Sequence, residues 1–231
     1  MEAKKSPRDI VIDRITEMII TGQYKPDDQL PPERDLAKSM GISRNLCSDV
    51  IHELEKRGLV IVVPRQGVFV NDFRASGNIY TLEAIMEADF PIGSKEIESV
   101  VELGWYMAEL TCKRVIDCAT DAQIAGLGDF IDKVLETSDP LEAAKLIYEY
   151  YHELAVLSGN TIVPMVIAGF KTPMINLWAR YVQSNGIERL YKGLAEVYFF
   201  ISNRDVDGVL KQINQTMGDI NDGDKGLYKD N

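Results

Sequence analysis

Residues 30–41 of the chain are LPPERDLAKSMG, residues 42–56 continue as ISRNLCSDVIHELEK, and residues 57–70 follow as RGLVIVVPRQGVFV. This pattern predicts a short helix, a tight turn, a second helix over 44–56 and a small β-hairpin. That order of elements is typical of a winged helix-turn-helix, a fold that commonly places its second helix in the major groove of DNA. We therefore expect this stretch to bind DNA.

The ends of the two helices carry residues that favour a helix start or a tight turn. Pro31 and Pro32 stand where the first helix begins, and the N–H that proline lacks costs little there. Gly41 can adopt the left-handed conformation that a tight turn needs. Ser43 is a good N-cap for the second helix. Ahead of this pair, an apolar stripe with helical spacing predicts another helix from about residue 8 to residue 21.

The outer side of the second helix carries Arg44, Asn45 and Ser48 if its apolar positions Leu46, Val50 and Leu54 face the core. In a helix-turn-helix, residues at the start of the second helix reach base edges and phosphates. The hairpin turn adds a cation near its tip, at Arg65.

These motifs resemble those of the GntR family of bacterial transcription regulators. The matching segments are Pro-x-Glu-Arg-x-Leu-Ala at 31–37, Ser-Arg at 43–44, Gly-Leu-Val at 58–60 and Gly-x-Phe-Val at 67–70. The resemblance implies that Arg34 and Arg44 are the main DNA contacts, and that the turn is a wing at the adjacent minor groove. The candidate DNA-binding residues are Arg34, Ser43, Arg44, Asn45, Ser48, Arg65, Gln66 and Gly67.

Ser48 departs from the family pattern, which usually has a second Arg one turn after Ser-Arg. A bidentate Arg–guanine contact discriminates between bases by roughly 1–3 kcal/mol. The serine therefore indicates a changed operator or weaker specificity. It also keeps open the alternative that this winged helix contacts proteins and has lost its DNA readout.

The charge is unevenly distributed along the chain. Of 231 residues with a net charge of −11, residues 1–73 hold 11 Lys and Arg against 12 Asp and Glu, and residues 74–231 hold 14 against 24. A neutral DNA-binding domain predicts modest affinity, which makes a homodimer more necessary. No apolar run approaches a membrane span, and the N-terminus lacks a signal-peptide core. Three cysteines without metal-like spacing favour a reduced, cytoplasmic setting.

The second half predicts an all-helical domain. The expected helices run over about 95–117, 121–137, 139–158, 161–184, 187–203 and 205–221. We expect a winged helix-turn-helix domain at 1–72, a linker with a short helix at 73–93, and a helical bundle at 94–231. Segments 70–83 and 152–160 are similar to the FadR subfamily of GntR regulators. This likeness implies a mostly α protein whose bundle dimerises and binds a small effector that controls DNA binding.

Many members of that subfamily hold a divalent metal with one Asp and three His. His152 matches the first His, but Tyr148 stands at the Asp position, and the other two His positions fall near Leu194 and Thr216. The chain has two histidines, and the other one, His52, lies in the first domain. One imidazole does not make a metal site, so we expect neither a metal nor a cofactor.

An Arg that many relatives carry in the first long helix is also missing, with Gly104 at its place. Aromatic walls with polar tips are usual in a ligand cavity. They could come from Tyr148, Tyr151, His152, Asn160, Trp178 and Tyr181, and all of these except Tyr151 are taken as effector-binding candidates. Aromatic residues at helical spacing belong to a core more often than to a pocket. The absence of the metal set favours an acyl or other apolar effector.

An enzyme built on the bundle is the remaining alternative. The sequence has no Gly-rich phosphate loop, no Ser-His-Asp or Cys-His arrangement and no His and carboxylate metal set. The nearest acid–base candidate is His152 beside Glu149 or Glu153, an ordinary polar pair on a helix surface. We therefore expect no catalytic residues.

Overall fold

The computed structural model describes residues 5–87 and 94–221, and the chain divides into two compact units, residues 1–92 and 93–231. The elements of the first unit are α1 (Pro7–Ile20), α2 (Glu33–Met40), α3 (Arg44–Lys56), β1 (Val60–Val63), β2 (Gly67–Val70), α4 (Phe73–Ser76) and α5 (Ile79–Glu87). The two strands are antiparallel, with Val60 opposite Val70 and Val63 opposite Gly67. The predicted winged helix-turn-helix is confirmed.

The turn between α2 and α3 has the glycine conformation and the serine N-cap that the sequence predicted. Gly41 adopts a left-handed conformation with φ of 67°, and its N–H donates to the carbonyl groups of Ala37 and Lys38. The Ser43 side chain accepts the Leu46 N–H at 3.2 Å and caps α3. Both helix ends therefore have partners for backbone groups that a helix leaves unpaired.

The core of this unit is aliphatic. Ile12, Ile15, Leu36, Val50 and Leu54 are each at most 1 % exposed. The prediction for Leu46 was wrong, since it is half-buried and Cys47 is buried in its place. Cys47, Val50 and Leu54 lie three and four residues apart, so the buried stripe of α3 starts one residue later than expected.

Residues 27–30 pair with β2 from the side opposite to β1, a pairing that the sequence pattern did not predict. The backbone bonds run from Asp27 N–H to Val70 O (2.9 Å), from Val70 N–H to Asp28 O (2.8 Å) and from Leu30 N–H to Val68 O (2.8 Å), with Gln29 bridged to Phe69. The loop that leads into α2 is thereby joined to the β-hairpin.

The predicted domain boundary at residue 72 falls inside the first compact unit. Phe73, Ala84 and Ile85 are 8 %, 3 % and 7 % exposed and belong to its hydrophobic core. The segment expected to be a linker therefore contains α4 and α5, and both helices pack against this core. Residues 88–93 of the expected linker lie outside the described residues.

Side chains from this segment also bond to the end of α3. Asn71 Nδ2 donates to Gly58 O (2.8 Å), Asn78 Nδ2 to Lys56 O (3.1 Å) and Thr81 Oγ1 to Arg57 O (2.5 Å). A helix leaves its last carbonyl groups without intrahelical partners, and these bonds satisfy that of Lys56, the last residue of α3, and those of the next two residues along the chain. The bonds of Asn78 and Thr81 join the start of α5 to the carboxyl end of α3.

The second unit is helical. Its elements are α6 (Ser94–Cys118), α7 (Asp121–Gly126), α8 (Gly128–Glu136), α9 (Pro140–Leu157), α10 (Val163–Gly169), α11 (Lys171–Asn185), α12 (Ile187–Ser202) and α13 (Val206–Asn221). The predicted all-α fold is confirmed. Helix α9 packs against α6, α8, α10 and α11. Within the described residues, no helix combines the length and apolar character that crossing a bilayer requires.

Two predicted helices are each interrupted. The helix expected over 121–137 breaks at Leu127, between Gly126 and Gly128, which weaken a helix interior. The helix expected over 161–184 breaks at Phe170. Pro173 lies four residues after the carbonyl of Gly169, with which its ring would clash in a continuous helix.

Arg204 joins three helices of the bundle. Its guanidinium donates to the carbonyl groups of Ile116 and Ala119 at the end of α6, the latter at 2.9 Å. It also lies 2.6 Å from the Asp121 carboxylate at the start of α7. The turn between α12 and α13 is thus fixed to the junction of α6 and α7.

Candidate nucleic-acid interface and ligand cavity

The predicted DNA contacts of α2 and α3 lie in the first turns of these helices. Arg34 has an 85 % exposed side chain, and its Nε lies 3.2 Å from the Asp35 carboxylate. Arg44 and Asn45 are exposed, and Ser48 is half-buried one turn later. The amino end of a helix carries unpaired N–H groups and a positive dipole, so these cations stand where a phosphate is also attracted by the backbone.

The wing turn is held in an uncommon backbone conformation. Arg65 adopts φ of 66° and Gly67 adopts φ of 131°, and the Gln66 N–H donates to Val63 O at 3.0 Å. Gln29 Nε2 donates to Gln66 O at 2.7 Å. Gln29 was not among the predicted site residues, because no local pattern predicts that this loop pairs with β2.

The cations of the first unit fall into two groups. Arg8 and Arg57 both bind the Glu53 carboxylate, at 3.3 Å and 3.1 Å. Among the described residues, Arg44 and Arg65 form no such ion pair. Arg34 is paired with its neighbour Asp35, so two of the three arginine candidates for DNA binding, Arg44 and Arg65, have no ion pair among the described residues.

Glu53 is held in its charged form. Burial raises the pKa of its carboxyl group, but the hydrogen bond and charge of Arg57, the charge of Lys56 and the hydrogen bond of Arg8 lower it by more. The pKa therefore lies below its ordinary value, and the carboxylate stays available to hold α1 against α3.

A cavity of about 750 Å³ lies among α6, α9, α11, α12 and α13. Aromatic side chains form much of its wall: Trp105, Tyr151, Trp178 and Tyr181. The Trp178 ring stacks on Tyr151 with centroids 6.2 Å apart and meets Tyr181 edge-on at 5.5 Å. The volume and the aromatic wall are those of a small-molecule pocket.

Polar groups line the part of the cavity formed by α12 and α13. They are Glu188, Arg189, Lys192, Glu196, Gln212 and Gln215. Lys192, Glu196, Gln212 and Gln215 also line an adjoining groove of about 470 Å³, to which Lys211 contributes. The cavity therefore combines an aromatic wall with a mixed-charge edge that carries two cations, Arg189 and Lys192, while Lys211 lines only the adjoining groove.

The cavity contains two of the five effector-binding candidates, Trp178 and Tyr181, together with Tyr151. The other three candidates lie elsewhere. Helix α9 turns Tyr148 toward α10, where it packs on Val163 and Ile167, and turns Tyr151 toward Trp178 of α11. This division arises because residues three apart on a helix differ by about 60° in direction.

Tyr148, His152 and Asn160 have structural contacts of their own. The rings of Tyr148 and His152 are 5.8 Å apart, and Lys171 Nζ lies 5.2 Å from the centre of the Tyr148 ring. Burial, with the charge of Glu149, raises the pKa of the Tyr148 hydroxyl group. Asn160 Oδ1 accepts the backbone N–H groups of residues 162 and 163 at the start of α10.

The positions that the FadR resemblance associates with an Arg and two His are Gly104, Leu194 and Thr216, and all three line the cavity. Leu194 offers no metal-binding atom, and His152 is not part of the cavity lining. Among the described residues, no group of three or more His, Cys, Asp or Glu side chains could hold a metal ion. The residues present do not fit the metal site of that subfamily.

The chain is similar to known proteins, both over its first unit and over most of its length. Residues 7–70 match the family model described as bacterial regulatory proteins, gntR family. The fatty acid metabolism regulator protein of Erwinia tasmaniensis is 23% identical over 190 residues, which cover 82% of this chain and 78% of that protein. The chain is a transcription regulator whose residues 7–70 match the gntR family of bacterial regulatory proteins.

Two further comparisons agree with this assignment. The fatty acid metabolism regulator protein of Klebsiella pneumoniae is 24% identical over 181 residues, or 78% of this chain and 74% of that protein. The solved structure of Lar from Listeria monocytogenes superposes with a TM-score of 0.55 at 16% identity, covering 94% of this chain and 95% of Lar. The first shows similarity to a fatty acid metabolism regulator over most of the chain, and the second shows a shared fold.

The family match contains α1 to β2 and so includes all eight DNA-binding candidates. The FadR-like resemblance is confirmed, as is the hypothesis of a DNA-binding transcription regulator that is not an enzyme. The cavity lies wholly outside residues 7–70.

Proposed function

We propose that this GntR regulator acts in the cytoplasm as a homodimer whose operator affinity changes when a small effector enters the cavity of the bundle. The observation that carries the proposal is that cavity. It is about 750 Å³ in volume, has an aromatic wall, and belongs to the unit that the DNA-binding family model does not contain. A regulator with a separate ligand unit can respond to a metabolite.

On the DNA side, Arg34, Arg44 and Asn45 contact bases and phosphates from the first turns of α2 and α3, with Ser48 at the edge of this contact. Ser43 caps α3 through one lone pair, which leaves its O–H hydrogen for a phosphate oxygen. Arg65, Gln66 and Gly67 contact the adjacent minor groove. Two such units are needed because one small module makes few contacts with an operator.

For the effector, we propose an apolar chain with an anionic head, such as a long-chain acyl compound. The aromatic wall offers the apolar contact, and Lys192 stands at the polar edge shared with the adjoining groove. No described group forms an ion pair with Lys192. The relatives named as fatty acid metabolism regulators support the same class of ligand. Tyr148, His152 and Asn160 position α10 in this account and do not contact the effector.

The bonds between α5 and the end of α3 allow a displacement of α5 to change the position of the proposed DNA contacts on α3. Asn78 and Thr81 attach α5 to the carbonyl groups of Lys56 and Arg57, so a displacement of α5 acts directly on α3. An effector then changes DNA binding if its affinity differs between two placements of α5.

The test is native mass spectrometry of the purified full-length protein, followed by titration with palmitate, palmitoyl-coenzyme A and uncharged hexadecanol. We expect a dimer that binds both anions more tightly than the alcohol. Lys192→Ala should remove that preference, while Lys145→Ala on the surface of α9 should keep it. A monomer, or equal binding of anion and alcohol, would contradict the dimer or the effector class respectively.

A matched pair of glycine variants tests the cavity itself. A side chain at Gly104 or at Gly126 meets nothing within 4 Å of its Cβ, and only Gly104 lines the cavity. Gly104→Trp should fill the cavity and abolish palmitate binding, whereas Gly126→Trp should leave it unchanged. Unaltered binding by Gly104→Trp would show that the effector binds elsewhere.

A further inference from the structure

The wing turn is bonded by a side chain from outside the hairpin. Gln29 lies in the loop before α2, and its Nε2 donates to the Gln66 carbonyl oxygen at 2.7 Å. Gln66 is at the tip of the hairpin, next to Arg65. A short, exposed two-stranded hairpin is only marginally stable by itself, so a bond at its tip affects how well the tip is ordered.

The packing of Gln29 on the wing is close. A Cβ added to Gly67 would lie 2.5 Å from Gln29 Nε2, a distance that excludes any side chain at residue 67 while Gln29 keeps its position. Gly67 also has φ of 131°, which side chains rarely adopt. Gly67 therefore serves two purposes, the turn itself and the approach of Gln29.

Gln29 is also joined to the start of α2. It is bridged to Phe69 of β2, and the next residue, Leu30, donates its N–H to Val68 O and is 2 % exposed. Residues 31 and 32 then lead directly into α2, whose first turn carries Arg34. One short segment thus connects the wing tip with the first turn of the helix-turn-helix.

We infer that Gln29 is a positioning residue for DNA binding: it holds the wing so that Arg65 and Arg34 engage the same operator. This inference rests on the proposed DNA contacts. Gln29 itself need not touch DNA, since it acts through the Gln66 carbonyl group. Its loss should weaken operator binding about three- to tenfold, the range expected for one hydrogen bond.

The experiment uses the full-length protein and a duplex that it selects from a random library, with affinity measured by fluorescence anisotropy. Gln29→Ala and Gln29→Glu both remove the donor, and the second preserves the shape of the side chain. Gln23→Ala is the matched control, because Gln23 is an exposed glutamine near the same loop with no hydrogen bond among the described residues. We expect both Gln29 variants to bind more weakly and the control to match the wild type.

A double-mutant cycle with Arg65→Ala separates positioning from a general loss of stability. In the Arg65→Ala background, Gln29→Ala should cost little more, and hydroxyl-radical footprints of the two single variants should lose the same minor-groove protection. Additive losses, or a Gln29→Glu variant that binds like the wild type, would overturn the inference. If the wild type selects no sequence at all, the failure lies with the proposed DNA contacts instead.

Discussion

The two units of this regulator place their functional residues in opposite ways. In the first, most of the DNA-binding candidates are exposed at helix starts and a turn, while the remaining polar groups fix the frame through bonds such as those of Glu53 and Asn71. In the second, the candidate ligand contacts Tyr151, Trp178 and Tyr181 line a partly open cavity among five helices. The first unit needs a rigid frame, because exposed cations can bind DNA only when their spacing is kept. The second needs an unfilled interior.

The largest effect expected from this comparison concerns Arg44. Arg44→Ala removes one proposed base contact from each half of a dimer, and at roughly 1–3 kcal/mol per contact the affinity for selected duplex should fall about 30-fold or more. Fluorescence anisotropy measures the change. Arg14→Ala, which removes an exposed cation from α1, is the control. Affinities of the two variants within about twofold of each other would contradict the assignment.

In the bundle, the largest stability effect is expected at Arg204. Arg204→Ala removes the donors to Ile116 O and Ala119 O, and should lower the free energy of unfolding by about 2–3 kcal/mol. Both tryptophans of the chain, Trp105 and Trp178, lie in this unit, so tryptophan fluorescence during urea unfolding reports on it alone.

Two further variants separate the carbonyl bonds of Arg204 from its ion pair and from its charge. Asp121 has a 94% exposed side chain, so Asp121→Ala should cost far less than Arg204→Ala. Arg180→Ala, an exposed cation of α11, controls for the loss of charge. Equal losses for Arg204→Ala and Asp121→Ala would show that the ion pair, and not the carbonyl bonds, stabilises the junction.

Two glycines of the first unit separate backbone strain from packing against α5. Gly41 and Gly58 have φ of 67° and 68°, but a Cβ meets nothing within 4 Å at Gly41 and lies 2.9 Å from Thr81 Oγ1 at Gly58. Gly41→Ala should cost about 1 kcal/mol, the strain alone. Gly58→Ala should cost about 2 kcal/mol, because it also displaces Thr81. Hydrogen exchange of the α3 amides measures both, and equal costs would contradict the attachment of α5 to α3.

The smallest effect is a pH dependence at Glu53. Its pKa is lowered in the folded state, so its contribution is present above the unfolded pKa and is lost as the pH falls through the folded value. Glu53→Gln should therefore destabilise the first unit by about 0.5–1 kcal/mol at neutral pH, and the difference should shrink as the pH falls from neutral through the lowered folded pKa. Thermal unfolding across this range, with Glu17→Gln as control, tests it. A difference that grows in acid would refute the sign.

The sequence predicted features that depend on neighbouring residues, but not those that depend on how distant segments pack. Ser43, Gly41 and the strand residues of the hairpin act locally, so their pattern predicted the helix ends and strands closely. The cavity combines residues as distant as Gly104 and Thr216, and periodicity along one helix does not show which side chains meet. Tyr148 and Tyr151 illustrate this, since only the packing of α10 and α11 decides which of them reaches the cavity. The hydrogen bond from Gln29 to the Gln66 carbonyl group was not predicted for the same reason.

The most direct test of the central claim is the titration of labelled duplexes with the full-length protein at rising salt concentration. A duplex selected from a random library and a scrambled duplex of equal length and composition are compared. We predict that the selected duplex binds about 10³-fold or more tightly, and that Arg44→Ala removes most of this ratio while both duplexes weaken as salt rises. Equal affinity for the two duplexes at every salt concentration would contradict sequence recognition by residues 33–70.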